Sequence, residues 1–140
     1  MKMDKSITEK EADIIESFEL FEESMERYEY IIDLGKKLPP LEEKYKTDDF
    51  LVKGCQSKVW LHAFEKDGII FFEADSNTAI TKGIIALLVD VLSGQSPKGI
   101  MNAELKFIDA IQLRSHLSSQ RSNGLTSMIQ RMKNYAQVFA

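Results

Sequence analysis

An Asp-Gly pair at residues 67–68 lies between two stretches in which apolar and polar residues alternate. Such a pair favours a two-residue type I′ turn, because both central positions of that turn require positive φ. The alternation therefore predicts a β-hairpin, with strands over residues 57–65 and 69–74 and with Phe64 facing Phe71. In this register one face of the hairpin is wholly apolar and is expected to lie in the core: Val59, Leu61, Ala63, Ile70, Phe72 and Ala74.

Apolar residues at helical spacing surround this hairpin on both sides. They predict helices over residues 7–21 and 24–35 before the hairpin, and over residues 80–92 and 125–139 after it. A third short strand is predicted over residues 50–53, directly before the hairpin. The expected fold class is therefore α+β, a three-stranded antiparallel meander with helices packed on one face.

The length of 140 residues predicts a single domain over residues 1–140, in which residues 1–5 are expected to be disordered. A net charge of −4, with both signs interspersed, argues against binding to nucleic acid or to anionic membranes, which requires a basic surface. The charged N-terminal segment lacks the apolar run of a secretory signal, and no apolar run is long enough to span a bilayer. We therefore expect a cytoplasmic protein.

Cys55 is the only cysteine of the chain, and it follows Gly54 at the predicted turn between the first two strands. A lone cysteine forms no intramolecular disulfide, and it does not supply the several thiolates of a typical zinc or iron–sulfur site. Two alternatives remain for its side chain. Free cysteines are often buried as small hydrophobic residues, whereas a hairpin tip has little core to enter and favours an exposed, reactive thiol.

A cysteine hydrolase would need a general base within about 3 Å of the thiol. Six strand residues at about 3.3 Å each place His62 roughly 20 Å from the turn, and its expected partner is instead Glu73. His116 lies in a polar connector predicted over residues 114–124, and we expect it to be structural or at a rim. Leu61 stands where a Cys-x5-Arg phosphatase loop has arginine. A thiol that exchanges a group with another protein is the remaining interpretation.

Four blocks of this sequence resemble the SufE family of sulfur acceptor proteins, in the family order. The cysteine block closely matches the cysteine motif of the family, and the other three cover most of the remaining chain after residue 27. Two small departures are Lys58, where glutamine is common, and Ser119, where proline is common. The blocks are GCQSKVW at 54–60, YEYIIDLGKKLPPL at 28–41, FFEADSNTAITKGIIALLVDVLSG at 71–94 and LRSHLSSQRSNGLTSMI at 113–129.

The resemblance implies a fold shared with the scaffold protein IscU and a role in sulfur mobilisation for iron–sulfur clusters. A SufS-type cysteine desulfurase would form a persulfide, and Cys55 would accept its terminal sulfur, stimulate the desulfurase and pass the sulfur to a SufBCD-type scaffold complex. Pyridoxal phosphate would belong to the desulfurase, so that this chain needs neither a cofactor nor a metal. It would take part in transpersulfidation without being an enzyme on its own.

Six further residues of the matched blocks are candidates for loop structure or partner contact. Asp75 is expected first as a helix N-cap. For Arg121, a place near the thiolate, a contact with the desulfurase and a solvated or structural role are all open. Burial of Cys55 would raise its pKa, and exposure near Arg121 would lower it. The six candidates are Gly54, Gln56, Ser57, Asp75, His116 and Arg121.

Two other function classes remain as alternatives. The first is a non-catalytic adaptor that docks a desulfurase through the hairpin while Cys55 carries no sulfur. The second is a stand-alone cysteine hydrolase, against which both the strand arithmetic and the resemblance argue.

Overall fold

The structure, a computed structural model, describes residues 5–140. Most of the predicted disorder at residues 1–5 thus lies outside the described residues, and the single domain over residues 1–140 stays a prediction. The elements are, in chain order, α1 (Ile7–Glu19), α2 (Ser24–Lys36), β1 (Val59–Lys66), β2 (Ile69–Ser76), α3 (Ala79–Leu92), α4 (Pro97–Asn102), α5 (Phe107–Ala110) and α6 (Ser119–Phe139). Short 3-10 turns occur at Glu43–Tyr45, Asp48–Phe50 and Leu113–His116.

The hairpin of β1 and β2 has the predicted register. The strands are antiparallel, and Phe64 lies opposite Phe71. Both turn residues, Asp67 and Gly68, have positive φ, at 55° and 80°. All six residues of the predicted inner face are buried, so this part of the prediction is confirmed.

The prediction of a third strand over residues 50–53 is wrong, because the sheet within residues 5–140 has two strands. Leu51 forms only an isolated bridge with Trp60. The reason lies in α6: its Tyr135 takes a backbone acceptor on the outer edge of β1, and its Arg131 holds Leu51 from the side that faces away from β1. Arg131 donates to the carbonyl oxygen of Leu51 at 2.9 Å, and the Tyr135 hydroxyl donates to that of Leu61 on the outer edge of β1 at 2.9 Å.

The core surrounds α3, which contacts β2, α1, α2 and α6. The sequence predicts that α2 ends at Gly35, but the helix continues through this residue to Lys36. Gly35 instead serves helix packing, since a Cβ placed on it would lie 2.7 Å from the backbone nitrogen of Gly83 in α3. Among the helices of residues 5–140, none combines the length and the apolar character that crossing a membrane requires.

Two helix starts differ from prediction. Thr78 is the N-cap of α3, whereas Asp75 still belongs to β2, so the predicted capping role of Asp75 is wrong. Helix α6 begins at Ser119 with Ser118 as its N-cap. The polar connector predicted over residues 114–124 therefore ends at residue 118. Its second half forms the first turns of α6, which are polar because most of these side chains are partly or fully exposed.

Candidate functional site

Residues 53–58, which we call the cysteine loop, connect Val52 to β1 and carry Cys55. Gly54 has a φ of +90°, and a Cβ on it would lie 2.5 Å from Ser127 Oγ in α6. Glycine is needed here both for the left-handed backbone and for the close approach of loop and helix. The predicted turn at Gly54 agrees with this geometry.

Hydrogen bonds to backbone groups fasten both ends of the cysteine loop. At the first end, the Val52 N–H donates to the Val59 carbonyl oxygen at 2.8 Å. At the second end, the Lys58 N–H donates to Asn77 Oδ1 at 3.0 Å, and the Ser76 hydroxyl donates to the Lys58 carbonyl oxygen at 2.8 Å. The loop is therefore tied to the base of the hairpin and to the turn that precedes α3.

Ser57 ties the middle of the cysteine loop to α3. Its hydroxyl oxygen accepts hydrogen bonds from Thr78 Oγ1 at 2.9 Å and from Thr81 Oγ1 at 3.3 Å. Ser57 thus makes hydrogen bonds within the protein, and its contact with a partner stays a prediction. Gln56, in contrast, is exposed at the surface of the loop, where it is available to a partner.

Cys55 is half-buried and points toward α6. Its Sγ lies 3.6 Å from the carbonyl oxygen of Gly124, to which the thiol donates. A Cβ on Gly124 would be 3.4 Å from this sulfur, so the loop lies directly on the helix backbone. Burial raises the pKa of the Cys55 thiol. At neutral pH the thiol is therefore protonated, and its reactive thiolate form is scarce.

Arg121 shares the small pocket of Cys55. The other lining residues come from the loop, α3 and α6: Gln56, Ser57, Thr81, Ile84, Gln120, Gly124 and Met128. The Nε of Arg121 is buried and has no hydrogen-bond partner among the described residues. The structure thus places Arg121 near the cysteine, as one of the open alternatives has it, although burial keeps the pKa of the thiol raised.

Asp75 lies outside this pocket and bridges two lysines. Its carboxylate pairs with Lys46 at 2.9 Å and with Lys82 at 3.2 Å. Burial by itself raises the pKa of Asp75, but hydrogen bonds from Lys46, from the Ser76 N–H and from Lys82 outweigh it, so the pKa is lowered. Asp75 therefore joins the segment before the cysteine loop to β2 and α3.

Neither histidine lines the pocket of Cys55. The Nδ1 of His62 lies 2.8 Å from the Glu73 carboxylate, which is the predicted cross-strand pair, and its ring stacks on Tyr45. His116 lies in the Leu113–His116 turn and lines a separate surface pocket with Met25 and Tyr28. The thiol thus has no histidine base beside it. Within residues 5–140, no group of three or more His, Cys, Asp or Glu side chains is placed to hold a metal ion.

Sequence reasoning missed the residues that receive the cysteine loop. Thr78, Thr81 and Ser127 carry no periodicity signal, because their partners are distant in the chain. Gly124 stood in a predicted connector, where a glycine is typical of a turn. One sequence signal was available for this contact. Thr78 and Thr81 are three residues apart at a helix start, so their side chains lie on one face of the helix and can bind the same partner.

Comparisons with known proteins show the family of the chain. The family model described as "SufE: Fe-S metabolism associated domain" matches residues 12–136. An uncharacterized SufE-like protein of Rhizobium meliloti (strain 1021) is 40% identical over 129 residues, which cover 89% of this chain and 92% of that protein. "SufE-like protein 1, chloroplastic/mitochondrial" of Arabidopsis thaliana is 37% identical over 125 residues, which cover 89% of this chain but only 34% of that protein.

A solved structure has the same fold. The solution structure of a hypothetical protein from Thermus thermophilus superposes with a TM-score of 0.77, covering 93% of this chain and 95% of that one. Its sequence identity is 20%, so this likeness concerns the fold alone. The family match and the curated relatives extend over most of the chain, and the protein therefore belongs to the SufE family.

Proposed function

We propose that this protein is a sulfur carrier that accepts persulfide sulfur on Cys55 from a cysteine desulfurase and stimulates that enzyme. Membership in the SufE family, whose domain is associated with Fe–S metabolism, supports the proposal. The observation that carries it is the setting of Cys55, the only thiol of the chain, on a loop fastened at both ends. With no histidine base in its pocket, this thiol suits exchange with a partner better than hydrolysis.

The transfer step is a thiol exchange that balances without an oxidant. The Cys55 thiolate attacks the terminal sulfur of the desulfurase persulfide, forming a new S–S bond while the old one breaks. The desulfurase cysteine leaves as a thiolate and takes up the proton that Cys55 has lost. The same exchange, run from Cys55 to an acceptor, delivers the sulfur to a scaffold complex of the SufBCD type.

The resting geometry adds a condition to this proposal. Cys55 is half-buried, its thiol donates to Gly124, and burial raises its pKa. Attack on a partner's persulfide requires an accessible thiolate. The cysteine loop therefore turns outward when the desulfurase binds, and the exposed Gln56 beside Cys55 is a candidate contact.

Partner, cofactor and location belong to the same proposal. The pyridoxal phosphate of the reaction sits in the desulfurase, while this chain supplies the acceptor thiol and is not an enzyme on its own. We place the protein in the cytoplasm, as its sequence predicts. The Arabidopsis relative carries "chloroplastic/mitochondrial" in its name, so a direct localisation measurement is worthwhile.

Intact-mass analysis after incubation with an active SufS-type desulfurase and free cysteine tests the carrier role. The wild-type protein is expected to gain the mass of one sulfur atom, and a reducing agent should remove it. Cys55→Ser keeps a side chain of similar size and is expected to gain nothing. Sulfur on the serine variant, or none on the wild type, would overturn the proposal.

A non-catalytic adaptor is the second candidate, and one observation favours it. The thiol is protonated and partly covered at rest, as a cysteine without a chemical role would be. An adaptor predicts that Cys55→Ser still stimulates the desulfurase fully. Measured alongside the mass gain, this stimulation separates docking from sulfur transfer.

A further inference from the structure

The start of α3 departs from normal capping. Thr78 occupies the N-cap position, where a hydroxyl ordinarily accepts a hydrogen bond from an N–H of the first helical turn. Here the side chain makes no capping bond and donates to Ser57 Oγ at 2.9 Å instead. Thr78 thus bonds the cysteine loop instead of capping its own helix. Such a local departure is expected where a residue serves a purpose beyond stability.

Thr81 repeats this contact one turn later on the same face of α3. Its side chain donates to the same Ser57 oxygen at 3.3 Å, and it also lines the pocket of Cys55. Thr81 is only 4% exposed and is the one buried polar residue within residues 5–140. A buried hydroxyl needs a hydrogen-bond partner, and the structure supplies it from the loop.

Few other bonds hold the interior of the cysteine loop. In the described structure, residues 53–57 have two hydrogen-bonded attachments to the rest of the protein: the long 3.6 Å bond from Cys55 Sγ to Gly124 and the two threonine bonds to Ser57. A sulfur donor makes a weak hydrogen bond. The threonine bonds are therefore the main polar contacts that keep Cys55 turned inward.

We propose that Thr78 and Thr81 are positioning residues that form a hydroxyl clasp on Ser57 and set how readily Cys55 becomes available. In the closed state both hydroxyls bind Ser57, and the thiol rests on Gly124. Opening breaks both bonds and releases the loop as a unit. This inference goes beyond the proposed function, because it assigns control of Cys55 to two residues of α3 and holds for any reagent or partner.

Charged side chains near Cys55 do not explain a change in thiol reactivity when the two threonine hydroxyls are removed. Of the side chains that line its pocket, Arg121 on α6 is the only charged one, while α3 contributes Thr81 and Ile84. Removing the clasp leaves Arg121 unchanged. A change in thiol reactivity on removal of the two hydroxyls is therefore attributable to the position of the loop.

The test is the rate at which iodoacetamide alkylates Cys55 in the protein alone, followed by intact mass. Valine keeps the shape of threonine but lacks its hydroxyl, so Thr78→Val/Thr81→Val should react about tenfold faster, given two lost hydrogen bonds. The midpoint of the pH–rate profile should also move to lower pH. Thr78→Ser/Thr81→Ser retains the hydroxyls and should react like the wild type, as should Thr8→Val on α1.

A urea series separates loop opening from general destabilisation. Opening of the loop alone exposes little surface, so its alkylation rate should change little with low urea, whereas a rate governed by global unfolding rises steeply. Three results would overturn the clasp: a double valine variant no faster than wild type, serine variants as fast as the valine variants, or a steep urea dependence. No desulfurase is present, so the outcome is independent of sulfur transfer.

Discussion

At the scale of single residues, the cysteine loop depends on one glycine and one thiol in unusual settings. Gly54 combines a φ of +90° with a close approach to Ser127. Cys55 combines a protonated thiol with partial burial. The Gly54 backbone is therefore tested by Gly54→Ala, and the Cys55 thiol is tested by Cys55→Ser.

Gly54→Ala should destabilise the protein more than Gly68→Ala. Both positions have positive φ, at 90° and 80°, so both variants place alanine in a strained backbone at about 1–2 kcal/mol. At Gly54 the new Cβ also meets Ser127 Oγ at 2.5 Å, whereas at Gly68 nothing lies within 4 Å. Urea unfolding measures the difference, and equal losses would show that the helix contact is unimportant.

The free energy of unfolding should fall at alkaline pH because of Cys55. Burial raises the pKa of this thiol, so the unfolded chain ionises first as pH rises. Stability is unaffected below about pH 8.5, the ordinary thiol pKa, and is lost as pH rises through the raised value. Urea unfolding of wild type and Cys55→Ser from neutral pH upward checks this. Parallel curves for the two proteins would contradict it.

At the scale of secondary-structure elements, the site depends on junctions between segments. The cysteine loop lies between the starts of α3 and α6, and the Asp75 ion-pair cluster joins β2 to α3 and to the segment that contains Lys46. Both junctions pair residues far apart in the chain. Losing a junction should therefore affect stability more than losing an exposed charge.

Asp75→Asn should lower stability by about 1–3 kcal/mol at neutral pH, because Lys46 and Lys82 lose a charged hydrogen-bond partner. The pKa of Asp75 is lowered, so its contribution is present above about pH 3.9 and is lost as pH falls through the lowered value. Unfolding curves at neutral and acidic pH test both statements. Asp90→Asn, an exposed site on α3, is the control and should change little.

At the scale of the whole molecule, the helices enclose the buried core, and the cysteine loop lies on them through few hydrogen bonds. The core surrounds α3, while residues 53–57 are attached mainly through side chains. A partner that binds the open loop better than the closed one shifts this equilibrium toward the open state. Binding and thiol exposure are then coupled.

Addition of a SufS-type desulfurase without its cysteine substrate should accelerate alkylation of Cys55 by a small reagent. Opening of the loop both exposes the thiol and removes the burial that raises its pKa. The control is a desulfurase whose own reactive cysteine has been replaced, so that only docking is measured. A rate equal to that of the free protein, or a slower one, would argue against opening on binding.

The hairpin, its register and its buried face could be predicted from the sequence alone, because strand alternation and an Asp-Gly turn are local signals that act over a few residues. The candidate cysteine could be found for the same reason, since its glycine neighbour and its uniqueness are visible without a fold.

Tertiary structure decided the remaining features of the site and the sheet. Tyr135 of α6 occupies a backbone acceptor of β1 that a third strand would need, and Asp75 binds lysines instead of capping α3. Thr78 and Thr81 bond Ser57, and the Cys55 thiol donates to Gly124. Most of these contacts join residues some twenty to eighty positions apart, and local sequence patterns cannot encode partners brought together only by packing of the core.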